Sequence, residues 1–401
     1  MMLIKKMLAN KGVKLITPET ITIDSDVKPE SFAPGTVIHP GCRLRGERLS
    51  IGQECVIGAE APATLDNCQL GERVRLAGGY FEKSTFLNDF KAGSSTHVRP
   101  GCLFEEGSSI AHCVGVKQTL FLPWVTAGSQ INLCDCLVAG GISRTNHSEI
   151  GSSYVHFNFT PYQDKATPSM IGDIPRGVLL NQPSIFLGGQ GGMVGPSSIA
   201  FGTVIPAGQI WRGDHCKPNQ IVLRKSVNYN VSLPFDAERY KGIGRVISSN
   251  LRYIGNLVAL DQWYRVVRSC FMLDDPWQQR CFNGARQRLR EMFTERLKQM
   301  NRLALNIEKS LALPCGNPFR DEHREFLKRW ESGREQLEAL TNSAETIAIQ
   351  EKVQAIVATL RADKGKGYIA AIQGLAPEPA EDLTAWLDSY VQTVMSVLDD
   401  S

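Results

Sequence analysis

Two histidines of this chain could move a proton near neutral pH. His147 lies in a polar stretch, 145–148, that is expected to project from a corner, and His156 stands two residues before Asn158. Imidazole ordinarily changes charge between about pH 5 and 8, so either residue could act as a general base. Residues two apart in a strand point to one face, which predicts that His156 and Asn158 lie side by side. A solvated loop histidine and a packing residue on a strand are the structural alternatives.

The seven histidines and eleven cysteines lack the spacing of a metal site. A zinc site on stacked strands would take two histidines about five residues apart plus a third on a facing strand, and no such pair occurs. Cys134 and Cys136 have one residue between them, where structural zinc sites have two to four. The sequence therefore predicts no metal, and it predicts reduced cysteines that serve in packing.

A six-residue period runs through the part of the chain that carries these histidines. An amphipathic helix repeats every 3.6 residues and a half-buried strand every two, so neither explains this step. One short strand and one corner per hexad, with three hexads per coil, build a triangular prism whose apolar residues point inward. The inward positions are Val98, Phe104, Ile110 and Val116, and then Leu187, Met193, Ile199 and Ile205. Walls and corners of stacked coils must therefore position the histidines.

Composition indicates a soluble, cytoplasmic protein of two domains. The 401 residues exceed one typical core. Near residue 232 the sequence changes from glycine-rich segments of β-favouring residues to segments with helical periodicity. We predict an N-terminal lead-in (1–30), a left-handed parallel β-helix (31–232) and an all-helical domain (233–401). A net charge of +3 is too small to indicate nucleic acid or an anionic membrane as the main partner. No stretch approaches the roughly 18 apolar residues of a membrane span.

The helical half begins its longest predicted helix at Asp275-Pro276, an N-cap followed by proline at the first helical position. The apolar stripe of this helix runs to Ile307, and it should end before Pro314. Further helices are predicted over 321–340, 344–360 and 381–398. The long helix is rich in arginine, but interleaved glutamates favour a solvated face of mixed charge over a nucleic-acid surface. The arginines are Arg280, Arg286, Arg288, Arg290, Arg296 and Arg302.

Motifs within the hexad region resemble the acetyltransferase domain of the bifunctional enzyme that makes UDP-N-acetylglucosamine, a left-handed β-helix. The similarity covers about residues 38–211. It rests on these segments in this order: Arg99-Pro100-Gly101, Val116-Lys117, Thr126-Ala127-Gly128, Asn158-Phe159, Asp164-Lys165-Ala166-Thr167, Ile171-Gly172-Asp173 and Ile185-Phe186-Leu187-Gly188-Gly189. The uridylyltransferase half of that enzyme has no counterpart here, and 189–192 lacks the Lys-Ser/Thr of a phosphate loop.

The resemblance implies a set of ligand contacts. Arg99 and Lys117 would bind the sugar phosphate, which suits a bidentate guanidinium and an ammonium. Asn158 would hold the sugar or the reacting amine, and Lys165 would add a cation at the phosphate. Acetyl-CoA or another acyl-CoA would lie along the prism as co-substrate, against the glycine corner at Gly188 and Gly189. The family resemblance also implies a homotrimer.

Two positions and the length of one segment depart from the family pattern. Where the family has its general-base histidine, this chain has Ser129, and where the family has a tyrosine three residues later, it has Asn132. The segment between Asn132 and Asn158 is six residues longer than in the family, as an extra hexad or a loop. A serine hydroxyl cannot take a proton from an ammonium near neutral pH, and loss of a general base typically costs about 10²–10⁴ in rate.

Two functions follow from these residues. The first is acyl transfer from CoA to a sugar phosphate or nucleotide sugar, with His156 or His147 as the base. The second is a catalytically inactive protein that binds a sugar phosphate or nucleotide sugar, or that uses the prism as a scaffold. The sequence leaves open whether the chain is an enzyme.

Overall fold

The computed structural model describes residues 2–158, 165–223, 232, 239–313, 318–342 and 351–399. Short parallel strands stack into a β-solenoid, and helices follow it, which confirms the predicted fold class. Face one of the solenoid is a row of ten two-residue strands: Lys14–Leu15, Val37–Ile38, Val56–Ile57, Arg75–Leu76, Lys91–Ala92, Ser109–Ile110, Thr126–Ala127, Glu149–Ile150, Phe186–Leu187 and Val204–Ile205.

The other two faces form one continuous sheet because two long strands, Gly115–Phe121 and Asn132–Val138, run across the corner between them. Face two also contains Thr22–Ile23, Arg43–Arg45, Ala63–Asp66, Gly79–Glu82, Thr96–Val98, Val155–Phe157, Gly192–Val194 and Ile210–Arg212. Face three also contains Ser50–Ile51, Gln69–Leu70, Ser84–Phe86, Cys102–Phe104, Ser169–Ile171 and Ser197–Ile199. The first coil lies within the segment predicted as a lead-in, since Lys14–Leu15 pairs with Val37–Ile38.

The core consists of inward columns, as the six-residue period predicted. Val98 pairs with Val116, which pairs with Leu133 in the next coil. Phe86 and Phe104 stack with ring centroids 5.4 Å apart. Burial of one such side chain contributes roughly 1.5–3 kcal/mol, and each coil supplies several. All eight inward positions named from the hexads are buried.

The lengthened segment after Asn132 is a hairpin and not an extra hexad. Its strands, Gly141–Ser143 and Asn146–His147, pair antiparallel. Arg144 at the tip donates to the carbonyl oxygens of Gly107 (2.9 Å) and Trp124 (3.1 Å). The tip therefore folds back over the earlier coils.

The longest helix begins and ends where the sequence predicted. In α5 (Pro276–Ala312), Asp275 Oδ1 accepts from the amides of Trp277 (2.9 Å) and Gln278 (2.8 Å). No helix within the described residues is both long and apolar enough to cross a membrane. The other α-helices are α1 (Met2–Asn10), α2 (Ile174–Gly177), α3 (Gly244–Trp263), α4 (Ser269–Met272), α6 (Arg320–Asn342), α7 (Glu351–Ala362), α8 (Tyr368–Gln373) and α9 (Pro377–Met395). A π-helix spans Tyr264–Arg268, and 3₁₀ turns span Pro18–Thr20, Pro29–Ser31, Lys364–Lys366 and Ser396–Leu398.

Three of these helices match the predicted ranges closely, while the part of the 344–360 prediction that precedes Glu351 lies outside the described residues. The helix α3 was not predicted individually, although the sequence indicated helical texture there. It packs against α9 and α5 and supplies two buried amides to the prism. Asn256 Oδ1 accepts from Ile174 N (2.8 Å), and Asn250 Nδ2 donates to Ala166 O (2.9 Å).

The helical domain packs along face three of the prism. Gly284 of α5 lies where a Cβ would come within 2.4 Å of Gln69 Oε1 and 2.7 Å of Thr85 Oγ1, so a larger residue would require these side chains to shift. The Tyr264 hydroxyl donates to buried Glu105 (2.6 Å), and Arg268 pairs with Glu106 (2.6 Å). Burial raises the pKa of Glu105 to about 7, against the opposing effect of the Arg268 charge.

The prediction of a solvated arginine face on α5 is wrong for two residues. Arg288 and Arg296 are buried, because this side of the helix faces the prism and not solvent. Arg296 Nη2 donates to Asp135 Oδ1 at 2.7 Å, and both side chains are almost fully enclosed. Arg288 pairs with Glu291 at 3.1 Å, and burial lowers the pKa of its guanidinium.

Removal of one partner from the buried pair should destabilise the fold. Arg296→Met leaves the Asp135 carboxylate enclosed without its cation, which typically costs about 3–5 kcal/mol. Arg302→Met on the exposed side of the same helix should stay within about 0.5 kcal/mol of the parent. Urea unfolding measures both values, and equal losses for the two variants would contradict this account of the interface.

Candidate functional site

Arg99 and Lys117 occupy equivalent positions in successive coils at one end of face two. The pairing of Val98 with Val116 places the next residues, Arg99 and Lys117, one above the other, and Lys117 pairs with Cys134 in the following coil. Neighbouring strands lie about 4.8 Å apart, so the two cations emerge side by side. Arg99 is exposed and Lys117 is half-buried.

A corner cluster adjoins this column. Asp135 follows Cys134 in the left-handed backbone region (φ 60°) and is buried. Its Oδ2 accepts from Asn158 Nδ2 (2.9 Å), while its Oδ1 accepts from Arg296. Arg296 Nη1 also donates to the carbonyl oxygen of Lys165 (3.4 Å), and the Lys165 side chain is exposed. The Asn158 amide and the backbone of Lys165 therefore meet at the corner next to Cys134, which pairs with Lys117.

Electrostatics at this end keep Cys134 protonated. Burial, with a further contribution from the Asp135 charge, raises the pKa of the Cys134 thiol to about 12, although Lys117 and Arg99 oppose the shift. A thiol of this pKa is not a thiolate nucleophile at neutral pH. The cysteine therefore acts as a packing residue, and the cations remain the chemistry-bearing groups of the column.

His156 points into the prism. It pairs with inward Met193 and is 4 % exposed. Since a carbonyl only accepts, Nδ1–H donates to Cys134 O (2.7 Å), which leaves Nε2 to accept from the Ser169 hydroxyl (2.8 Å). Burial lowers the pKa of the imidazole to about 4. The strand that holds His156 ends at Phe157, one residue before Asn158, and the Asn158 amide contacts Asp135 at the corner.

The hydrogen bonds of His156 restrict its access to a substrate, which the predicted role as a base requires. Both ring nitrogens are used within the protein, so a ligand on the outer surface would reach one only after a bond is broken. His147, the other predicted base, is half-buried in the hairpin, where its backbone pairs with Gly141. That hairpin leaves the prism after face three, away from the cation column. Both assignments stay predictions.

The sequence did not predict whether the side chain of His112 points into or out of the prism. His112 lies at the corner between faces one and two, and its Nδ1 is 2.9 Å from Ser129 Oγ; His112 is exposed and Ser129 is half-buried. The Ser129 amide donates to Ser152 Oγ (3.1 Å) in the following coil. The 17-residue separation of His112 from Ser129, close to one coil, was the signal that could have paired them.

Gly188 and Gly189 form a tight corner of the prism, the conformation expected of them. A Cβ on Gly188 would come within 2.1 Å of Ala207 N, and one on Gly189 within 2.7 Å of Ser152 O. The Gly188 amide donates to Ile205 O (2.7 Å) in the coil ladder. The corner stacks directly beyond Ser152 and Ser129, so it extends the His112 corner toward the C-terminal end of the prism.

A separate cleft of about 550 Å³ lies where the last coils meet α3 and α9. It is lined by residues that include Asp173, Arg176, His215, Arg252 and Asp388. Burial raises the pKa of Asp388, and the nearby Asp173 carboxylate adds to the shift. Within the ranges that the structure describes, no three His, Cys, Asp or Glu side chains are grouped closely enough to hold a metal ion.

Comparison with known proteins places relatives along the prism. The chain is 26% identical over 220 residues to the Bifunctional protein GlmU of Trichlorobacter lovleyi, an alignment that covers 55% of this chain and 42% of the relative. The Bifunctional protein GlmU of Listeria monocytogenes serotype 4b is 26% identical over 197 residues, 49% of this chain and 38% of the relative. No protein-family model matches the chain.

A third relative has a higher sequence identity over a shorter alignment. The Bifunctional protein GlmU of Brevibacillus brevis is 35% identical over 106 residues, which cover 26% of this chain and 22% of the relative. The chain thus spans about two fifths of the length of the longest-aligned of these relatives. The matches confirm the resemblance inferred from the motifs on the prism.

The buried imidazole predicts a defined pH dependence of stability. In the unfolded chain a histidine protonates near pH 6.5, whereas His156 in the fold protonates only near pH 4. Stability present above about pH 6.5 is therefore lost as the pH falls toward 4, by about 2–3 kcal/mol at pH 4.5. His156→Leu should lack this loss, while His97→Leu, at an exposed histidine, should keep it. Urea unfolding at pH 7 and 4.5 measures the difference, and identical pH dependence in all three proteins would contradict the assignment.

Proposed function

We propose that this protein is a CoA-dependent acyltransferase that moves an acetyl or other acyl group from a CoA thioester to the amine or hydroxyl of a sugar phosphate or nucleotide sugar. The observation that carries the proposal is the Arg99–Lys117 column at the end of face two. The motif resemblance and the alignments to the Bifunctional protein GlmU relatives support the substrate class.

The column suits a phosphate. A guanidinium offers two parallel donors and an ammonium adds a point charge, and the backbone register places the two residues in adjacent coils. The buried carboxylate beside them, Asp135, is neutralised by Arg296 and therefore does not repel an anion at full strength. In this proposal the Asn158 amide holds the sugar or the reacting amine, and Lys165 adds charge at the phosphate.

The acyl donor lies along the prism in this proposal, with the Gly188 and Gly189 corner against it. The acceptor nitrogen or oxygen attacks the thioester carbonyl, and a base takes the proton of the acceptor. Collapse of the tetrahedral intermediate breaks the carbon–sulfur bond, and the CoA thiolate is released with a proton. Backbone N–H groups at a corner would stabilise the oxyanion.

Assembly into a homotrimer is part of the same proposal. Phe157 (43 % exposed) and Ile210 (51 % exposed) present apolar surface on the C-terminal coils of face two. The helices that pack on face three leave these residues uncovered. Sedimentation equilibrium should give three chains of 44.3 kDa, and a single-chain species at micromolar concentration would contradict the trimer.

Binding without chemistry is the second candidate function. The observation that favours it is the hydroxyl of Ser129 at the position where the family resemblance expects a histidine base. Such a protein would bind the sugar phosphate through the same cations. Saturable binding of acetyl-CoA would count against it, because a sensor of sugar phosphates has no use for the acyl donor.

Calorimetric titration with glucosamine 1-phosphate tests the cation column. Arg99→Ala should weaken binding at least tenfold, because it removes a bidentate phosphate contact. Lys91→Ala, at an exposed lysine on face one, is the matched control and should bind as the parent does. Equal affinities for the parent and Arg99→Ala would overturn the phosphate site, since the fold of an exposed-residue variant should be unchanged.

A further inference from the structure

A histidine stands one coil away from the position at which the base is missing. The Ala111 amide donates to Ala127 O (2.9 Å), so the two coils are in register at this corner. His112 and Ser129 follow these residues, and their side chains meet at 2.9 Å. The imidazole of His112 therefore lies beside Ser129, although His112 belongs to the preceding coil.

We propose that His112 is the general base of the acyl transfer and that Ser129 orients its ring. This inference rests on the proposed function and names the residue that the function lacked. In the tautomer that this role requires, Nδ1–H donates to Ser129 Oγ, and the Nε2 lone pair is left for the acceptor. Ser129 is then a positioning residue, because its hydroxyl holds the orientation of the ring.

The surroundings of His112 favour this role over the other two histidines. His112 is exposed, whereas His156 is enclosed with both nitrogens bonded. Gly93 and Ser94 of the preceding coil and Ser129 and Gln130 of the following coil stack against it, and none is charged. The titratable neighbour in sequence is the exposed thiol of Cys113.

One position on the outer face between His112 and Lys117 carries no side chain. His112 and Lys117 lie at opposite ends of the face-two wall of one coil. They are five residues apart, so their Cα atoms lie within about 17 Å. Between them Gly115 has no side chain, and open space lies where its Cβ would be. A hexose phosphate can therefore lie across Gly115, with its phosphate toward Lys117 and its reacting group toward the imidazole.

His112 carries the proton from the acceptor to the leaving thiolate in this step. Nε2 accepts a proton from the acceptor amine or hydroxyl as the new bond to the acyl carbon forms. The carbon–sulfur bond of the thioester then breaks, and the imidazolium returns the proton to the CoA thiolate. The products are the acylated sugar and free CoA, and the enzyme is regenerated.

Thiol release from acetyl-CoA, with glucosamine 1-phosphate as acceptor and the full chain as enzyme, tests the assignment. His112→Asn keeps a donor toward Ser129 but cannot titrate, so kcat should fall about 10²–10⁴-fold with little change in KM. Its pH profile should lose the acid limb that the parent shows. Ser129→Ala should lower kcat less and should retain that limb. His39→Asn, at the same prism corner in an earlier coil, should match the parent.

The possible failures are distinguishable. Turnover by His112→Asn within threefold of the parent overturns the base assignment and leaves the proposed function standing. A loss of the acid limb in His156→Leu or His147→Ala, with the limb retained in His112→Asn, assigns the base to another histidine. Absence of thiol release by the parent with this acceptor and with UDP-linked amino sugars overturns the proposed function and the base together.

Discussion

Parallel pairing of equivalent residues in successive coils is the constraint on which the rest of the structure depends. It places the inward apolar residues in columns, so each coil is stable only against its neighbours. It also converts a sequence separation of about one coil into side-chain contact. The juxtapositions of Arg99 with Lys117 and of His112 with Ser129 both follow from this rule. The chemistry of the molecule is thus distributed between coils rather than within one.

The helical domain makes one wall of the prism interior to the protein. Polar groups of face three that would otherwise meet water are paired with groups of the helices, as in the Glu105–Tyr264 and Asp135–Arg296 contacts. Because an enclosed carboxylate without its cation is costly, the Asp135–Arg296 pair fixes the position of α5 on the corner beside the cation column. The helices therefore leave face two as the wall on which Arg99 and Lys117 emerge, and Arg296 of α5 neutralises buried Asp135 beside them.

Much of the fold followed from the sequence, because a six-residue period has few physical solutions and an Asp-Pro helix start has a specific cap. The hexads identified the inward residues, and Asp275 caps α5 as expected. The inward direction of His156 was harder to predict, because strand alternation relates His156 to Asn158 but does not say which face of the strand is inward. Burial of Arg296 depended on a contact 161 residues away along the chain, which no local pattern encodes. The His112 contact required the coil register, which the hairpin and the variable corners obscure.

Hydrogen–deuterium exchange with and without saturating glucosamine 1-phosphate tests the central claim most directly, namely that the ligand site lies on face two. Slower exchange should be confined to amides of Thr96–Val98, of Gly115–Phe121 and of the corner that contains His112 and Ser129. Protection centred on the cleft between the last coils and α9, near Asp173 and Asp388, with face two unchanged, would contradict the account.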